Sequence, residues 1–231
     1  MSRVAIIAAL PGELKPLARG WRRETRAGVD LWRRRAGEED WIAACSGMGA
    51  RAAERAMAEV EKEGPIDLFM SVGWAGALRE GFLVGRAYGV SGVVDARTGE
   101  RFRSCTKSEG CWLATSHRVA DKAEKRRLAA TYGADLVDME AAAVARLAGM
   151  RGIPFHCIKG VSDGFEDSLP DFNPFISADG RFQRARFLLH ALPRPWQWLA
   201  LARLGINSGI AARQMACYFR ITPLARGTER P

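Results

Sequence analysis

Apolar positions along this chain come in short runs, set apart by polar and glycine-bearing turns. Arg3 to Ala9 reads RVAIIAA, which predicts a strand buried in a sheet. Leu10-Pro11-Gly12-Glu13 follows, and Pro11 predicts a helix start there, reaching about Arg19. Asp30 to Arg35 and Asp40 to Cys45 predict two strands around the polar turn Gly37-Glu38-Glu39. Ser46 to Gly49 is a glycine-bearing loop, and Ala50 to Glu63 is a strong helix closed by Gly64-Pro65. Asp67 to Val72 is the next buried strand and runs into Gly73-Trp74-Ala75-Gly76. Two glycines at a strand's end suggest close backbone approach to a ligand.

Gly85 to Val94 predicts a further strand, Asp95 to Cys111 a hairpin and polar loop, and Trp112 to Thr115 a short strand. Val119 to Thr131 predicts an amphipathic basic helix whose charges, including Lys122, Lys125 and Arg126, read most simply as a solvated face. Glu140 to Gly149, EAAAVARLAG, is small and strongly helix-forming. Pro154 stops it, and Phe155 to Val161 predicts a buried strand ending at Ser162-Asp163-Gly164. Alternating strands and helices argue for one three-layer α/β/α domain around a central mixed sheet. Ligands of open α/β sheets bind beyond the carboxyl ends of strands. Glu13, the Gly47 loop, the Gly73 loop, Glu140 and Asp163 are therefore expected in one cleft.

After a loop from Asp167 to Gly180 the pattern changes. Arg181 to Leu192 and Arg194 to Phe219 predict basic, apolar, aromatic helical segments, broken at Pro193, Pro195 and Gly205. The expected division is a catalytic domain over residues 1–180 and a basic helical extension over 181–231. The net charge of +9 belongs mostly to that extension, which holds nine arginines against the single acid Glu229. The main domain is thus nearly neutral, and no base-stacking motifs accompany the tail arginines, so nucleic acid is not an expected partner. Arg with Trp and Leu on an amphipathic helix suits a membrane surface. The alternative is a helix that covers the sheet or a subunit interface and shows its arginines to water.

Composition is that of a globular chain, with 48% apolar and 26% charged residues among 231. Met1 to Leu10 lacks a basic leader, and no apolar run is long enough to span a bilayer, so a cytoplasmic location is expected, with peripheral contact at the inner membrane face as an option. The five cysteines (Cys45, Cys105, Cys111, Cys157, Cys217) match no zinc spacing, and the three histidines form no cluster with them. No metal is expected. Cys105 and Cys111 could approach across a hairpin, but reduced thiols are the expectation. Glu13 taken alone reads equally as a carboxylate placed favourably at a helix N-terminus. The Ser46, Gly47, Gly49 loop with Arg51 could offer backbone N–H groups and a positive charge to an anion such as phosphate, or could be only a tight turn.

Five segments in order carry a resemblance: VAIIAALPGEL, CSGMGARAAERA, LFMSVGWAGAL, VDMEAAAVARLAGMRGIPF and IKGVSDG, over residues 3 to about 165. The chain resembles the nucleoside phosphorylase and nucleosidase superfamily, which includes methylthioadenosine/adenosylhomocysteine nucleosidases and futalosine hydrolases. MEAAAVA followed by a strand and SDG is the most specific part. VVDARTGERF at Val93 to Phe102 and the Arg/Leu/Trp-rich tail resemble the hopanoid-biosynthesis-associated phosphorylase group, to which removal of adenine from adenosylhopane is assigned.

The resemblance implies a division of labour. Asp163 would be the general acid at purine N7, kept neutral by burial, with Ser162 orienting it. Glu140 would stay ionised and hold the ribose hydroxyls, with Met139 against the sugar. Glu13 would activate water in a nucleosidase. Gly73, Trp74, Ala75 and Gly76 would line the substrate, though Trp74 stands where nucleosidases commonly carry a small Ser. The purine-contacting segment would lie near His117 to Val119. No cofactor is implied, with inorganic phosphate as a co-substrate if the enzyme is a phosphorylase. A nucleoside with a large apolar 5′ substituent is the implied substrate, and a homo-oligomer, most simply a dimer, the implied assembly. The alternatives are a hydrolase of methylthioadenosine, adenosylhomocysteine or futalosine, and a membrane-associated nucleoside-binding protein without catalysis.

Overall fold

A computed structural model describes residues 2–106 and 110–221, with the side chains of 220 and 221 left out of the account below. Eleven strands form one mixed sheet. Its centre is β5 (Leu68–Ala77), which pairs in parallel with β1 (Ser2–Ala8) on one side and β11 (Phe155–Asp163) on the other. Beyond β1 lie β4 (Glu39–Cys45), β3 (Val29–Ala36) and β2 (Arg22–Arg26), the first parallel to β1 and the other two antiparallel additions. The far end of β5 pairs antiparallel with β10 (Leu136–Asp138) at Gly76 and Ala77. From there the sheet continues through β9 (Trp112–Thr115), β7 (Gly92–Asp95) and β8 (Arg101–Arg103), while β6 (Ala87–Gly89) pairs only with β11.

Side-chain alternation decides the layers. Val4, Ile6 and Ala8 of β1 pack with Leu14, Ala212 and Met215, whereas Ala5 and Ile7 pack with Ala53, Ala56, Met57 and Val60. The second set belongs to α2 (Ala50–Glu61), which lies beside α4 (Ala141–Met150) on one face. The first includes α1 (Pro11–Leu14) and α6 (Pro195–Ile221) on the other face. Helices on both faces of a mixed sheet give the expected three-layer architecture. All nine residues of β11 are buried, as its apolar reading requires.

Several boundaries differ from the sequence reading, each for a physical reason. The expected strand from Gly85 to Val94 is two strands in different parts of the sheet, because β6 joins β11 while β7 joins β9. β2 has no counterpart in that reading: RRETR has no apolar alternation, and it is held as an edge strand by pairing with β3 alone. The first helix is one turn, Pro11–Leu14, rather than reaching Arg19. The basic helix, α3 (Lys122–Tyr132), begins after an Asp121 cap whose side chain accepts from the Glu124 N–H. Between β11 and α6 come a 3-10 turn at Asn173–Phe175 and α5 (Arg184–Ala191). α6 is not broken at Gly205 but runs through it, because Ala211, Ala212, Met215 and Ala216 bury its inner face to the end.

Gly160 of β11 carries the contact with α6. A Cβ built there would lie 3.0 Å from both the Cβ and the carbonyl oxygen of Ala211. Gly160→Val is therefore expected to lower the urea midpoint, costing about 1–3 kcal/mol, the usual cost of overpacking. An unchanged midpoint would mean that α6 moves aside freely.

Candidate active site

A cavity of about 260 Å³ opens at the carboxyl ends of β1, β5, β10 and β11. Glu13, Met139, Glu140, Ser162 and Asp163 all line it, together with Trp74, Ala75, Gly76 and Val119. The chain thus brings the three expected carboxylates to one place, at the strand ends where α/β sheets bind ligands.

Glu13 stands in the one-turn helix just after β1. Its Oε2 accepts from the N–H groups of Ala9 and Leu10, each at 2.8 Å, and its Oε1 from the Trp74 N–H at 2.8 Å. Burial raises its pKa, against the lowering by these backbone donors and by Lys159. Glu13 thus fixes the β1–α1 turn and also lines the cavity. Gly73 makes this approach feasible, because a Cβ there would sit 2.7 Å from Glu13 Oε1.

Asp163 ends β11 after a register shift between Val161 and Asp163, a bulge that re-aims the strand's last side chains. Ser162 Oγ donates to Asp163 Oδ1 at 2.7 Å, the expected orienting contact. The other oxygen has a partner that the sequence reading lacks. Lys125 Nζ of α3 lies 2.5 Å from Asp163 Oδ2 and 2.6 Å from the Gly164 carbonyl oxygen. Its side chain is 1% exposed. Asp163 therefore has a buried cationic partner that the sequence reading did not foresee. Gly76 leaves room for it: a Cβ would fall 2.8 Å from Asp163 Oδ2 and 3.3 Å from Lys125 Cε. The two glycines of the β5 end thus admit protein carboxylates, where the sequence suggested room for a ligand.

Glu140 precedes α4. Its Oε1 accepts from the Gly49 N–H at 2.6 Å, so the N-terminus of α2 already holds a carboxylate. Burial, with Asp138 adding to it, pushes the Glu140 carboxyl up to about 8. Desolvation thus works against the ionised form expected of Glu140, while Lys159 and the Gly49 N–H work for it. Asp138 is paired instead, accepting from Thr115 Oγ1 at 2.7 Å and from the Ala141 N–H at 2.9 Å, with Lys159 Nζ at 2.7 Å. Burial lowers the Lys159 ammonium, but Asp138, Cys157 and Glu140 together outweigh it and the group is held up. Lys125, Asp138 and Lys159 were all missed by sequence reasoning. A lysine inside the apolar run FHCIKGV was the available signal, since a charge in a covered strand needs a buried partner.

The remaining expected residues are placed as follows. Trp74 donates its Nε1–H to the Ser208 carbonyl oxygen of α6 at 2.9 Å, and its ring sits against Gly12. Val119 is in the cavity wall, with its N–H donating to Asn173 Oδ1 at 2.8 Å and its carbonyl accepting from Asn173 Nδ2 at 3.2 Å. The anion loop does not face Glu13: Ser46 Oγ donates to the Ala52 carbonyl at 2.5 Å, the Gly47 N–H to Ala9, and the Gly49 N–H to Glu140. Arg51 lines a neighbouring cavity with Arg97, Arg118 and Arg146.

Comparisons with known proteins agree with this fold. The model of the phosphorylase superfamily matches residues 3–104 and 96–189. No curated protein matches the chain. Among solved structures, a point mutant of Helicobacter pylori MTAN with 5′-methylthioadenosine in its active site is similar over 95% of this chain and 97% of that one, with a TM-score of 0.71 and 13% identity. Futalosine hydrolase of Helicobacter pylori is similar over 95% and 96%, with a TM-score of 0.71 and 14% identity. The 5′-methylthioadenosine/S-adenosylhomocysteine nucleosidase of Neisseria meningitidis is similar over 93% and 98%, with a TM-score of 0.63 and 18% identity. These likenesses concern the fold, whereas the family match extends over most of the sequence. The chain belongs to the phosphorylase superfamily.

Proposed function

We propose that this protein cleaves the N-glycosidic bond of a purine nucleoside, releasing adenine, with water as the nucleophile. The observation that carries it is the meeting of Glu13, Glu140 and the Ser162–Asp163–Lys125 group in one cavity. Proton transfer from the Lys125–Asp163 pair to purine N7 lets the C1′–N9 electron pair leave with the base. Glu140 accepts from ribose hydroxyls, and positive charge developing on the sugar favours its ionised form. Water adds to C1′ and gives its proton to Glu13, which restores a neutral sugar hydroxyl.

Water is preferred to phosphate on electrostatic grounds. Among the described residues lining this cavity the cationic side chains are Arg118 and Lys125. Lys125 is held by Asp163 and the Gly164 carbonyl, and Arg118 lies near Glu124. A phosphate beside Glu13 would meet a carboxylate without a facing guanidinium. Phosphorolysis is the second reading, favoured by the arginine-lined neighbouring cavity, which shares Met48, Arg118 and Met139 with the first. Apolar groups in the cavity wall (Leu169, Phe172, Phe182, Leu204) favour an apolar 5′ substituent, and adenosylhopane is the candidate drawn from the resemblance. The Asn173 amide meets both the N–H and the C=O of Val119. An adenine edge offers the same donor and acceptor, which supports adenine as the base.

Adenine release from adenosylhopane and from methylthioadenosine, each with and without inorganic phosphate, tests the reading. Phosphate-independent release with a free sugar hydroxyl is expected, and an absolute need for phosphate would turn the assignment to phosphorolysis. Asp163→Asn should lose roughly 10²–10⁴-fold in kcat, the usual contribution of general acid catalysis.

The pH profile follows from burial. Glu13 and Glu140 act ionised, and burial raises both, Glu140 to about 8. Activity should therefore fall as pH falls from about 8, well above the ordinary carboxylate range. A kcat/KM profile flat down to that range counts against these roles.

Lys125→Met, with folding checked by circular dichroism, should reduce kcat about a hundredfold or more with little change in KM, the pattern of a lost proton-transfer contribution. Lys125→Arg should restore part of it. Equal kcat in all three proteins would reduce Lys125 to a neutraliser of buried charge. Asn173→Ala should lower KM for the nucleoside by freeing the Val119 backbone pair, and a raised KM would mean that Asn173 itself holds the base.

A further inference from the structure

Among the described residues, the outer face of α5 and α6 has no partner. Eight of the eleven large hydrophobic residues found exposed among the described residues fall between Leu188 and Ile210. Leu188 is 64% exposed, Leu192 67%, Trp196 73%, Leu199 61% and Ile206 63%. On α6 the residues Trp196, Leu199, Arg203, Ile206, Ile210 and Arg213 recur at three- and four-residue steps and form one stripe. The opposite stripe, with Ser208, Ala211, Ala212 and Met215, is buried on the sheet. Packing on the domain therefore explains only half of this helix.

Charge on the same face is of one sign. No acidic residue occurs between Asp179 and Glu229. Arg184, Arg186, Arg203 and Arg213 are exposed, and among the described residues none of them forms an ion pair. Exposed Leu and Trp interleaved with unneutralised Arg, on a helix too polar to cross a bilayer, have the chemistry of an interfacial helix. A second copy of the chain is the poorer occupant, because a twofold contact would set this acid-free face against itself. Nucleic acid would leave the aliphatic stripe unburied.

We propose that the α5–α6 face docks on an anionic lipid surface and so delivers an apolar-tailed nucleoside to the cavity. The same segment serves the cavity: Phe182 precedes α5, Leu204 and Ser208 belong to α6, and all three line the cavity, while the exposed stripe lies on the other side of α6. A substrate anchored by its hydrocarbon would enter along this helix without leaving the lipid. The delivery half rests on the reading of the cavity as a nucleoside site, and the docking half does not.

Co-sedimentation with vesicles of phosphatidylglycerol and phosphatidylcholine, against pure phosphatidylcholine, tests the docking. Binding to the anionic vesicles that weakens with added salt is expected. Arg184→Gln/Arg203→Gln/Arg213→Gln should weaken it roughly a hundredfold, at about fivefold per arginine near an anionic surface. Leu192→Gln/Trp196→Gln/Leu199→Gln should weaken it comparably. Both triple variants should keep turnover of a soluble nucleoside while losing turnover of a nucleoside embedded in vesicles. Absence of vesicle binding by the unaltered protein overturns the proposal, as does a lower oligomeric state of the apolar variant with vesicle binding unchanged, which would assign the face to a second copy. Vesicle binding without cleavage of any nucleoside would leave the docking standing and sink the enzymatic reading instead.

Discussion

Four carboxylates, Glu13, Asp138, Glu140 and Asp163, are buried at one end of the sheet, and two buried lysines stand among them. Everything else at the site follows from this imbalance. A buried charge needs a partner, and uncompensated it shifts toward its neutral form. Lys125 takes Asp163 and Lys159 takes Asp138, each within hydrogen-bonding distance. Glu13 and Glu140 receive backbone N–H groups instead, and these do not offset their desolvation. The site thus sorts its acids into two that are paired with lysines and two whose neutral form burial favours. One of the paired acids, Asp163, faces the cavity with Lys125 against it. The other, Asp138, caps α4 through the Ala141 N–H and fixes the adjoining Glu140.

Much of this arrangement is visible in the sequence, and the part that is not has a common cause. β1, α2, α4 and β11 announce themselves because their burial is set by local periodicity. β2 and β10 do not: one is a charged edge strand and the other only three residues long. Glu13, Glu140 and Asp163 are legible because each follows a recognisable strand or opens a recognisable helix. Lys125 is illegible for the opposite reason. It lies in the run KAEKRR, whose neighbours Lys122 and Arg126 are indeed solvent-facing, and its partner is 38 residues away. An inward lysine on a charged helix looks the same as the outward ones until the sheet is assembled.

The hairpin at the end of the chain shows the same limit in another form. Composition alone left two readings open, a covering helix and a surface-binding one. The structure makes them compatible, since the stripe around Ala211 and Met215 covers β11 while the stripe around Trp196 and Ile206 faces outward. The break foreseen at Gly205 does not occur because α6 is held by tertiary packing on both sides of that residue, and packing outweighs a propensity deficit of about 1 kcal/mol.

Trp74 connects these two halves of the molecule. It stands near the end of β5 where the resemblance implies a small residue, and a large ring there requires space and a polar partner for its N–H. Gly12 supplies the space, since a Cβ at that position would lie 2.9 Å from the ring. The Ser208 carbonyl supplies the acceptor. The backbone N–H of the same residue donates to Glu13. One residue therefore ties the Glu13 carboxylate to a helix that helps wall the cavity. A change in how α6 sits would be felt at Glu13 through two hydrogen bonds. It follows that the departure from the family pattern at position 74 is not an isolated substitution in a substrate loop. It belongs with Gly12 and α6, and the three are expected to vary together.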